Sequence, residues 1–180
     1  KNSELKKNLF VFELNSKKKI ILISIKKNLK NFEIENLGAE LYGRLNNGKS
    51  SSYSINTDTI VGKYNNFIGR LLHGLKLKSY EFNKYKTKKE SRLIILNVIG
   101  NNNKSTVIDK LRFKALEEGI FYARDLVSEP GNILHPDEYA KRLASLRKDG
   151  LKVNIFDEKK LKKMGMNSLL GVGQGSIRGS

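Results

Sequence analysis

Apolar runs of strand length alternate with amphipathic segments along this chain, and the alternation predicts a mixed α/β fold. The first two runs are separated by polar residues 15–18 and predict a β-hairpin. The run "RLIILNVI" predicts the most clearly buried strand. The predicted strands cover residues 9–14, 20–25, 51–55, 92–99 and 151–157.

Apolar residues three to five positions apart predict five helices. Their predicted extents are 31–45, 57–75, 105–127, 136–149 and 158–164. The first is predicted to bury Phe32, Ile34, Leu37, Ala39, Leu41 and Leu45, and the third Ile108, Leu111, Ala115, Leu116, Gly119, Ala123 and Leu126.

Glycine and asparagine mark special positions in the first two of these helices. The run Asn46–Gly48 predicts a left-handed end for the first helix, because both residue types tolerate that backbone conformation. Within the second, Gly69 and Gly74 predict close packing or a helix end, since glycine costs about 1 kcal/mol relative to alanine inside a helix.

The predicted elements divide the chain into three parts. Residues 1–104 hold four strands and two helices, which predicts an N-terminal α/β domain. Residues 105–127 predict a rigid linker helix. Residues 128–180 hold one strand and two short helices, too few to bury a core, and are expected to begin a second, incomplete domain.

The charge balance is strongly positive. The chain has 35 Lys+Arg against 18 Asp+Glu, a formal net charge of +17. Two interpretations stay open: a solvated lysine-rich surface, or a surface that binds polyanions. The absence of cysteine excludes a disulfide framework and is consistent with a cytoplasmic location. No run approaches the roughly 18 apolar residues of a membrane span, and no secretory signal is recognised.

Few residues suit catalysis or metal binding. The two histidines, His73 and His135, lie far apart, and neither has the spacing of a metal site, so both are predicted to be surface residues near helix ends. Of the acidic pairs, Glu117-Glu118 is predicted to be a solvated face and Asp157-Glu158 a helix cap. We therefore assign no catalytic and no metal-binding residue.

Three closely spaced glycines near the end of the chain raise the possibility of a phosphate loop. Gly171, Gly173 and Gly175 are spaced G-x-G-x-G, whereas a dinucleotide fingerprint needs G-x-G-x-x-G between a strand and a helix. Both the spacing and the context argue against a nucleotide cradle, and the first domain offers no glycine-rich loop for an ADP-ribose ligand.

One segment combines cations with aromatic residues. Tyr80, Phe82 and Tyr85 alternate with basic residues that could contact phosphates while the rings stack on bases. The candidate nucleic-acid contacts are Lys84, Lys86, Lys88, Lys89 and Arg92. The same alternation also suits a segment that packs one side on the protein, so this interpretation stays an alternative.

Three stretches resemble the leucyl (cytosol) aminopeptidases, in the order and with about the spacing of that family. They are "SYEFNKYKTKK" (79–89), "ARDLVSEPGNILHPDEYAKRL" (123–143) and "MGMNSLLGVGQGS" (164–176). In the second stretch the family pattern is matched at Arg124, Asp125, Leu126, Pro130, Asn132, Pro136, Tyr139 and Ala140. Ser128 and His135 depart from the commoner residues of the family.

The resemblance implies a macro-domain-like N-terminal domain with a mixed sheet flanked by helices, joined by a long helix to an α/β catalytic domain. It also implies a cytoplasmic homo-hexamer that removes N-terminal residues from peptides with two divalent metal ions (Mn, Zn or Mg). The family's metal-ligand motifs follow the Gly-Gln-Gly-Ser stretch and do not occur in these 180 residues. This segment is therefore expected to be inactive alone, with weak DNA or RNA binding as the alternative role.

Overall fold

The structure, a computed structural model, describes residues 8–15, 19–48, 51–60, 62, 64, 66–88, 92–101 and 106–175. The chain divides into two compact units, Lys1–Phe121 and Tyr122–Ser180. The boundary lies inside the segment predicted as a linker helix, and the three-part division predicted from the sequence stays a prediction. Among the helices described, none combines the length and apolar content that crossing a bilayer requires.

The strands of the first unit form two pairs. Strand β1 (Leu9–Glu13) pairs antiparallel with β2 (Lys19–Ile23), with Phe10 opposite Leu22, as the hairpin prediction requires. Strand β3 (Ser52–Asn56) pairs in parallel with β4 (Ile95–Ile99). Helices, an antiparallel pair and a parallel pair together confirm the mixed α/β class.

Two helices supply most of the buried core of the first unit. Helix α1 covers Asn31–Asn46 and α2 covers Phe67–Lys78. The buried hydrophobic residues are Leu9, Ile34, Leu37, Leu41, Leu45, Phe67, Ile68 and Leu71. Those of α1 recur every three or four residues, which places them on one helical face. Phe32 was predicted to join them but is exposed, because it lies outside that face in the first turn.

Two glycines allow α1 and α2 to meet backbone to backbone. A Cβ atom on Gly38 would overlap the carbonyl of Leu71, and a Cβ on Gly74 would overlap the carbonyl of Glu35. The close packing predicted for Gly74 is confirmed. Arg70 of α2 adds a 3.0 Å ion pair to the Glu35 carboxylate beside this crossing.

Helix α2 begins ten residues later than predicted. Thr57 is fully buried, and its hydroxyl donates a 3.1 Å hydrogen bond to the Ile99 carbonyl at the end of β4. Gly62 and Asn66 then have φ values of +121° and +55°. Because a left-handed residue cannot continue a right-handed helix, α2 starts directly after Asn66.

The end of α1 also differs from its prediction. Asn47 caps the helix with a right-handed φ of −83°, so no left-handed cap is formed there. The hydroxyl of Tyr53 donates to the Leu45 carbonyl over 3.2 Å, and a Cβ on Gly48 would overlap that hydroxyl. Glycine leaves room here for the Tyr53 hydroxyl, a contact that no local pattern around residue 48 reveals.

Strand β4 is less buried than predicted. Leu96 packs against the core, whereas Ile95 and Ile99, on the other side of the pleat, are exposed. In the described residues β4 pairs only with β3, so only one face of this two-stranded sheet is covered.

A long helix, α3, covers Val107–Ser128. The stripe predicted to face inward is mostly exposed, with Ile108 at 78% and Leu111 at 62%. The contacts with α2 come instead from Phe113, Glu117 and Phe121. The predicted inner side of α3 is therefore wrong for this structure.

The second unit contains three further helices, α4 (Pro136–Ser145), α5 (Glu158–Lys163) and α6 (Asn167–Gly173), and a 3₁₀ turn over Leu146–Asp149. Gly150 ends the turn with φ +84°, and Gly165 follows α5 with φ +72°. Residues 151–157 were predicted as a strand but form none, because in the described residues no neighbouring strand pairs with them.

The α1–α2 crossing predicts opposite effects for two glycine substitutions. Gly74→Ala should lower the free energy of unfolding by about 1–3 kcal/mol, because the added methyl group meets a backbone carbonyl. Gly43→Ala in α1 is the matched control: its Cβ meets nothing within 4 Å and should stabilise the helix by up to about 1 kcal/mol. Urea unfolding followed by circular dichroism measures both, and equal effects would contradict the packing described.

Candidate functional site

The best-defined polar cluster of the second unit joins the end of α3 to the start of α4. The Glu129 side chain is only 1% exposed and accepts a 2.8 Å hydrogen bond from Arg142. The Nε of Arg142 donates a second bond, 3.0 Å long, to Glu138 one turn earlier in α4. One guanidinium thus bridges two carboxylates that lie nine residues apart in the chain.

The charges of this cluster stabilise one another. The hydrogen bonds that Arg142 donates to Glu129 and then to Glu138 raise the pKa of Arg142 above its ordinary value. The hydrogen bond from Arg142 lowers the pKa of Glu138 and outweighs desolvation. Arg142 thus holds the carboxylates of Glu129 and Glu138 together across the turn between α3 and α4.

His135 precedes α4 and was predicted to face solvent. Its side chain is 16% exposed, and Nδ1 contacts the Asp137 carboxylate. Desolvation acts to raise the pKa of Asp137, but the hydrogen bond and charge of His135, with backbone N–H donors, outweigh it and lower the pKa. The solvent-facing prediction is corrected: His135 is held against the first turn of α4.

Pro136 occupies the first turn of α4, followed by Asp137 and Glu138, as the helix-start pattern predicts. The predicted cap at Asp157 is also confirmed, since its carboxylate accepts a 2.8 Å bond from the backbone N–H of Lys160. The carboxylates of Asp137, Glu138 and Asp157 thus all lie at helix starts.

The closing glycines lie on a helix. Gly171 and Gly173 belong to α6 and Gly175 follows it, while residues 176–180 lie outside the described residues. A helical backbone directs its N–H groups along its own axis, so this segment offers no phosphate-cradling loop.

A second polar cluster was missed by sequence reasoning. His73 lies inside α2, 6% exposed, with its Nδ1 2.9 Å from Glu117 of α3. Its ring packs on Phe113 at a centroid distance of 4.9 Å. The predictions of a surface histidine and of a solvated Glu117 are both wrong, although Glu118 is indeed 68% exposed.

Further contacts of the same kind complete the junction of α2 and α3. The Arg70 guanidinium lies 6.0 Å from the centre of the Phe113 ring, and Lys76 lies 5.9 Å from the centre of Phe121. Tyr80 packs on Phe121 at 5.2 Å. Cationic side chains, aromatic rings and the His73–Glu117 hydrogen bond thus make contacts between α3 and the segment that contains α2 and Tyr80.

The described members of the predicted basic patch have different surroundings. Lys84, Lys86 and Lys88 are exposed on the irregular segment after α2. The ammonium group of Lys84 lies 5.5 Å from the centre of the Tyr85 ring. Arg92 instead donates a 2.6 Å hydrogen bond to the Asn46 carbonyl at the end of α1. Lys89 lies outside the described residues.

The described part of the chain offers no ligand set for the metal ions that the resemblance implies. There, no three His, Cys, Asp or Glu side chains are grouped so that they could hold an ion. The carboxylates of Glu117 and Glu129 are bound to His73 and Arg142.

Comparison with known proteins gives a consistent result. Residues 121–180 match the model of the cytosol aminopeptidase family, catalytic domain. Over 114 residues, 61% of this chain and 23% of the relative, the chain is 43% identical to a probable cytosol aminopeptidase of Bradyrhizobium sp. strain BTAi1. A probable cytosol aminopeptidase of Agrobacterium fabrum strain C58 is 42% identical over 111 residues, 58% of this chain and 22% of the relative. The match thus spans less than a quarter of these relatives.

Solved structures show the same fold. The bottromycin maturation enzyme BotP in complex with Mn superposes with a TM-score of 0.70 at 17% identity, covering 95% of this chain and 37% of the enzyme. A tomato leucine aminopeptidase variant gives a TM-score of 0.69 at 19% identity, covering 87% of this chain and 33% of the neighbour. At these identities the likeness concerns the fold.

The buried pair between α2 and α3 predicts unequal roles for two neighbouring glutamates. Glu117→Ala should lower the free energy of unfolding by about 1–3 kcal/mol, because it leaves the His73 ring buried without its partner. Glu118→Ala, at an exposed position, is the matched control and should change it by less than about 0.5 kcal/mol. Denaturant titration of both variants decides the matter, and equal losses would mean that the pair does not stabilise the junction.

Proposed function

We propose that this chain belongs to the cytosol aminopeptidase family and forms the N-terminal α/β unit and the first catalytic-domain segment of a metal-dependent aminopeptidase. The observation that carries the proposal is where the family match begins. The match to the catalytic domain starts at residue 121, and the second compact unit starts at Tyr122. Sequence similarity from residue 121 and internal packing from residue 122 both support treating the last part of the chain as a separate unit.

The activity proposed for the whole protein is the release of N-terminal amino acids from peptides, in the cytoplasm and as a homo-hexamer. Two divalent ions, Mn, Zn or Mg, would polarise the scissile carbonyl and activate water when bound. No residue of the described chain is assigned to hold them, because the ligand set is not met there. This chain's own proposed role is assembly and positioning, through the α2–α3 junction and the Glu129–Arg142–Glu138 cluster.

The described residues of the second unit support a role as a polar scaffold rather than as a reactive site. Among its described residues, Glu129 is the one that is buried, and its carboxylate is bound by Arg142. A general base must be able to accept a proton from water or substrate, whereas this carboxylate already accepts from a permanently charged guanidinium. The cluster can hold α4 in place for a site completed by other residues.

The purified 180-residue chain should not hydrolyse leucine p-nitroanilide with Mn²⁺ or Zn²⁺ added. A chimera that joins this chain to the unmatched catalytic-domain residues of the Bradyrhizobium relative should hydrolyse it, and a chelator should abolish that activity. The relative itself, assayed in parallel, is the positive control. Turnover by the 180-residue chain alone would contradict the non-catalytic role, and a folded but inactive chimera would contradict the proposed activity.

A second candidate function, weak binding of DNA or RNA, is favoured by one observation. Three exposed lysines, Lys84, Lys86 and Lys88, follow one another on an irregular segment that also carries Phe82 and Tyr85. The two rings contact each other edge to face at 5.8 Å and provide an aromatic surface beside the cations. This arrangement supports phosphate contacts without selection of sequence.

The binding expected from this segment depends steeply on salt. If three lysines contact phosphates, the affinity for duplex DNA should fall about 40-fold between about 50 and about 200 mM salt. Charge reversal at Lys84, Lys86 and Lys88 should abolish binding, whereas charge reversal at Lys159, Lys162 and Lys163 of α5 changes the net charge equally and should reduce it less. Fluorescence anisotropy measures both. Equal losses would assign binding to bulk charge, and salt-independent affinity would exclude a phosphate-driven mode.

A further inference from the structure

The sequence contains one Asn-Gly pair, Asn47-Gly48, and it lies at the end of α1. Asn47 is exposed. Because glycine has no Cβ, its backbone nitrogen can reach the side-chain amide carbon of the preceding asparagine without steric hindrance. Asn154 is also exposed, but it is followed by the β-branched Ile155, which hinders the same approach. The sequence therefore makes Asn47 the asparagine with the highest intrinsic reactivity toward deamidation.

Deamidation of this pair needs only water. The Gly48 nitrogen loses its proton and forms a bond to Cγ of Asn47, and the side-chain NH2 group leaves as ammonia, which closes a succinimide ring. Water then adds to one of the two ring carbonyls and breaks its bond to nitrogen. Breaking the bond from Cγ gives aspartate, and breaking the bond from the backbone carbonyl carbon gives isoaspartate.

The folded chain opposes the first of these steps. The backbone N–H of Gly48 donates a 3.1 Å hydrogen bond to the Leu45 carbonyl, and Asn47 has the helical dihedral angles φ −83° and ψ −7°. Before the nitrogen can attack, the Gly48 amide must leave this hydrogen bond and turn toward the Asn47 side chain. Helix ends open locally at a much lower free energy than the whole fold. The rate of attack therefore depends on how often the last turn of α1 is open.

Two contacts from distant parts of the chain hold this turn closed. The hydroxyl of Tyr53 in β3 donates a 3.2 Å hydrogen bond to the Leu45 carbonyl. The Arg92 guanidinium donates a 2.6 Å hydrogen bond to the Asn46 carbonyl. Both act where a helix has carbonyls that its own hydrogen-bond ladder leaves unsatisfied. Loss of either contact should leave the turn open more often.

We propose that Asn47 is a modification site, deamidated spontaneously at a rate controlled by opening of the last turn of α1, which Tyr53 and Arg92 hold closed. The product places a new carboxylate at the negative end of the helix dipole. Isoaspartate also lengthens the backbone beside Gly48, where even a Cβ atom would overlap the Tyr53 hydroxyl. Modification therefore loosens the same turn whose closure slowed it.

Peptide mapping by mass spectrometry of the purified 180-residue chain tests the site. During incubation at mildly alkaline pH, Asn47 should show the mass change from NH2 to OH, and Asn154 in the same sample should not. The rate should rise with pH, because the attacking nitrogen must lose its proton, and it should be several-fold lower in the folded chain than in urea. No conversion of Asn47 in the folded chain, or equal rates with and without urea, would overturn the proposal.

Substitutions of the two contacts test the control by helix opening. Arg92→Ala should raise the rate at Asn47 several-fold in the folded chain and leave the rate in urea unchanged. Tyr53→Phe keeps the ring, removes the hydrogen bond and should have the same effect. Arg112→Ala is the matched control, because it removes the same charge from an exposed position of α3. Circular dichroism verifies that each variant is folded, and unchanged rates in both test variants would contradict the role of these contacts.

The effect of the product on α1 is measured separately. Asn47→Asp introduces the charge without the longer backbone and should lower the urea midpoint of unfolding slightly. The isoaspartate fraction of the aged wild-type chain should have a lower midpoint than this variant, because it also disturbs the contact between Gly48 and Tyr53. Equal midpoints for the unmodified chain, the variant and the isoaspartate fraction would show that modification does not loosen the turn.

Discussion

The close crossing of α1 and α2 is the constraint on which the first unit depends. At Gly38 and Gly74 each helix presents bare backbone to a carbonyl of the other, so the axes approach more closely than side chains would allow. This close approach brings the apolar side chains on either side of the crossing into one buried cluster. Leu9 and the inner faces of the strands cover that cluster. Close packing of this kind leaves no room for even a methyl group, because protein interiors are filled to crystal-like density.

The crossing also decides which side of α2 remains for α3. With Leu71 and Gly74 turned to α1, His73 is left on another side of α2, where it meets Phe113 and Glu117. Arg70, which pairs with Glu35 of α1, also lies near the Phe113 ring. The stability of this α2–α3 junction depends more on the geometry of its polar and ring contacts than on the hydrophobic area that it buries. A buried imidazole that loses its carboxylate partner is left unsatisfied, whereas an aliphatic contact would only be loosened.

Sequence reasoning succeeded where a local pattern determines the structure. The hairpin, the extent of α1, the glycine packing at residue 74 and the Asp157 cap all follow from spacing or capping chemistry within a few residues. It failed where a contact with a residue distant in the sequence determines the structure. Residues 151–157 need a neighbouring strand, and the start of α2 depends on the contact between Thr57 and Ile99. On α3, Phe113, Glu117 and Phe121 repeat as regularly as the apolar stripe, so periodicity alone could not select the packed side.

The polar residues that sequence reasoning treated as candidate chemistry are, in the described structure, mostly committed to holding helices. Glu117 is bound to His73, Glu129 and Glu138 to Arg142, and Asp157 to a backbone N–H group. Each of these carboxylates has an oxygen engaged in a hydrogen bond that holds a helix or a helix end in place. The match of the second unit to a catalytic domain and the structural use of its carboxylates are compatible if this segment supplies the rigid support of the site.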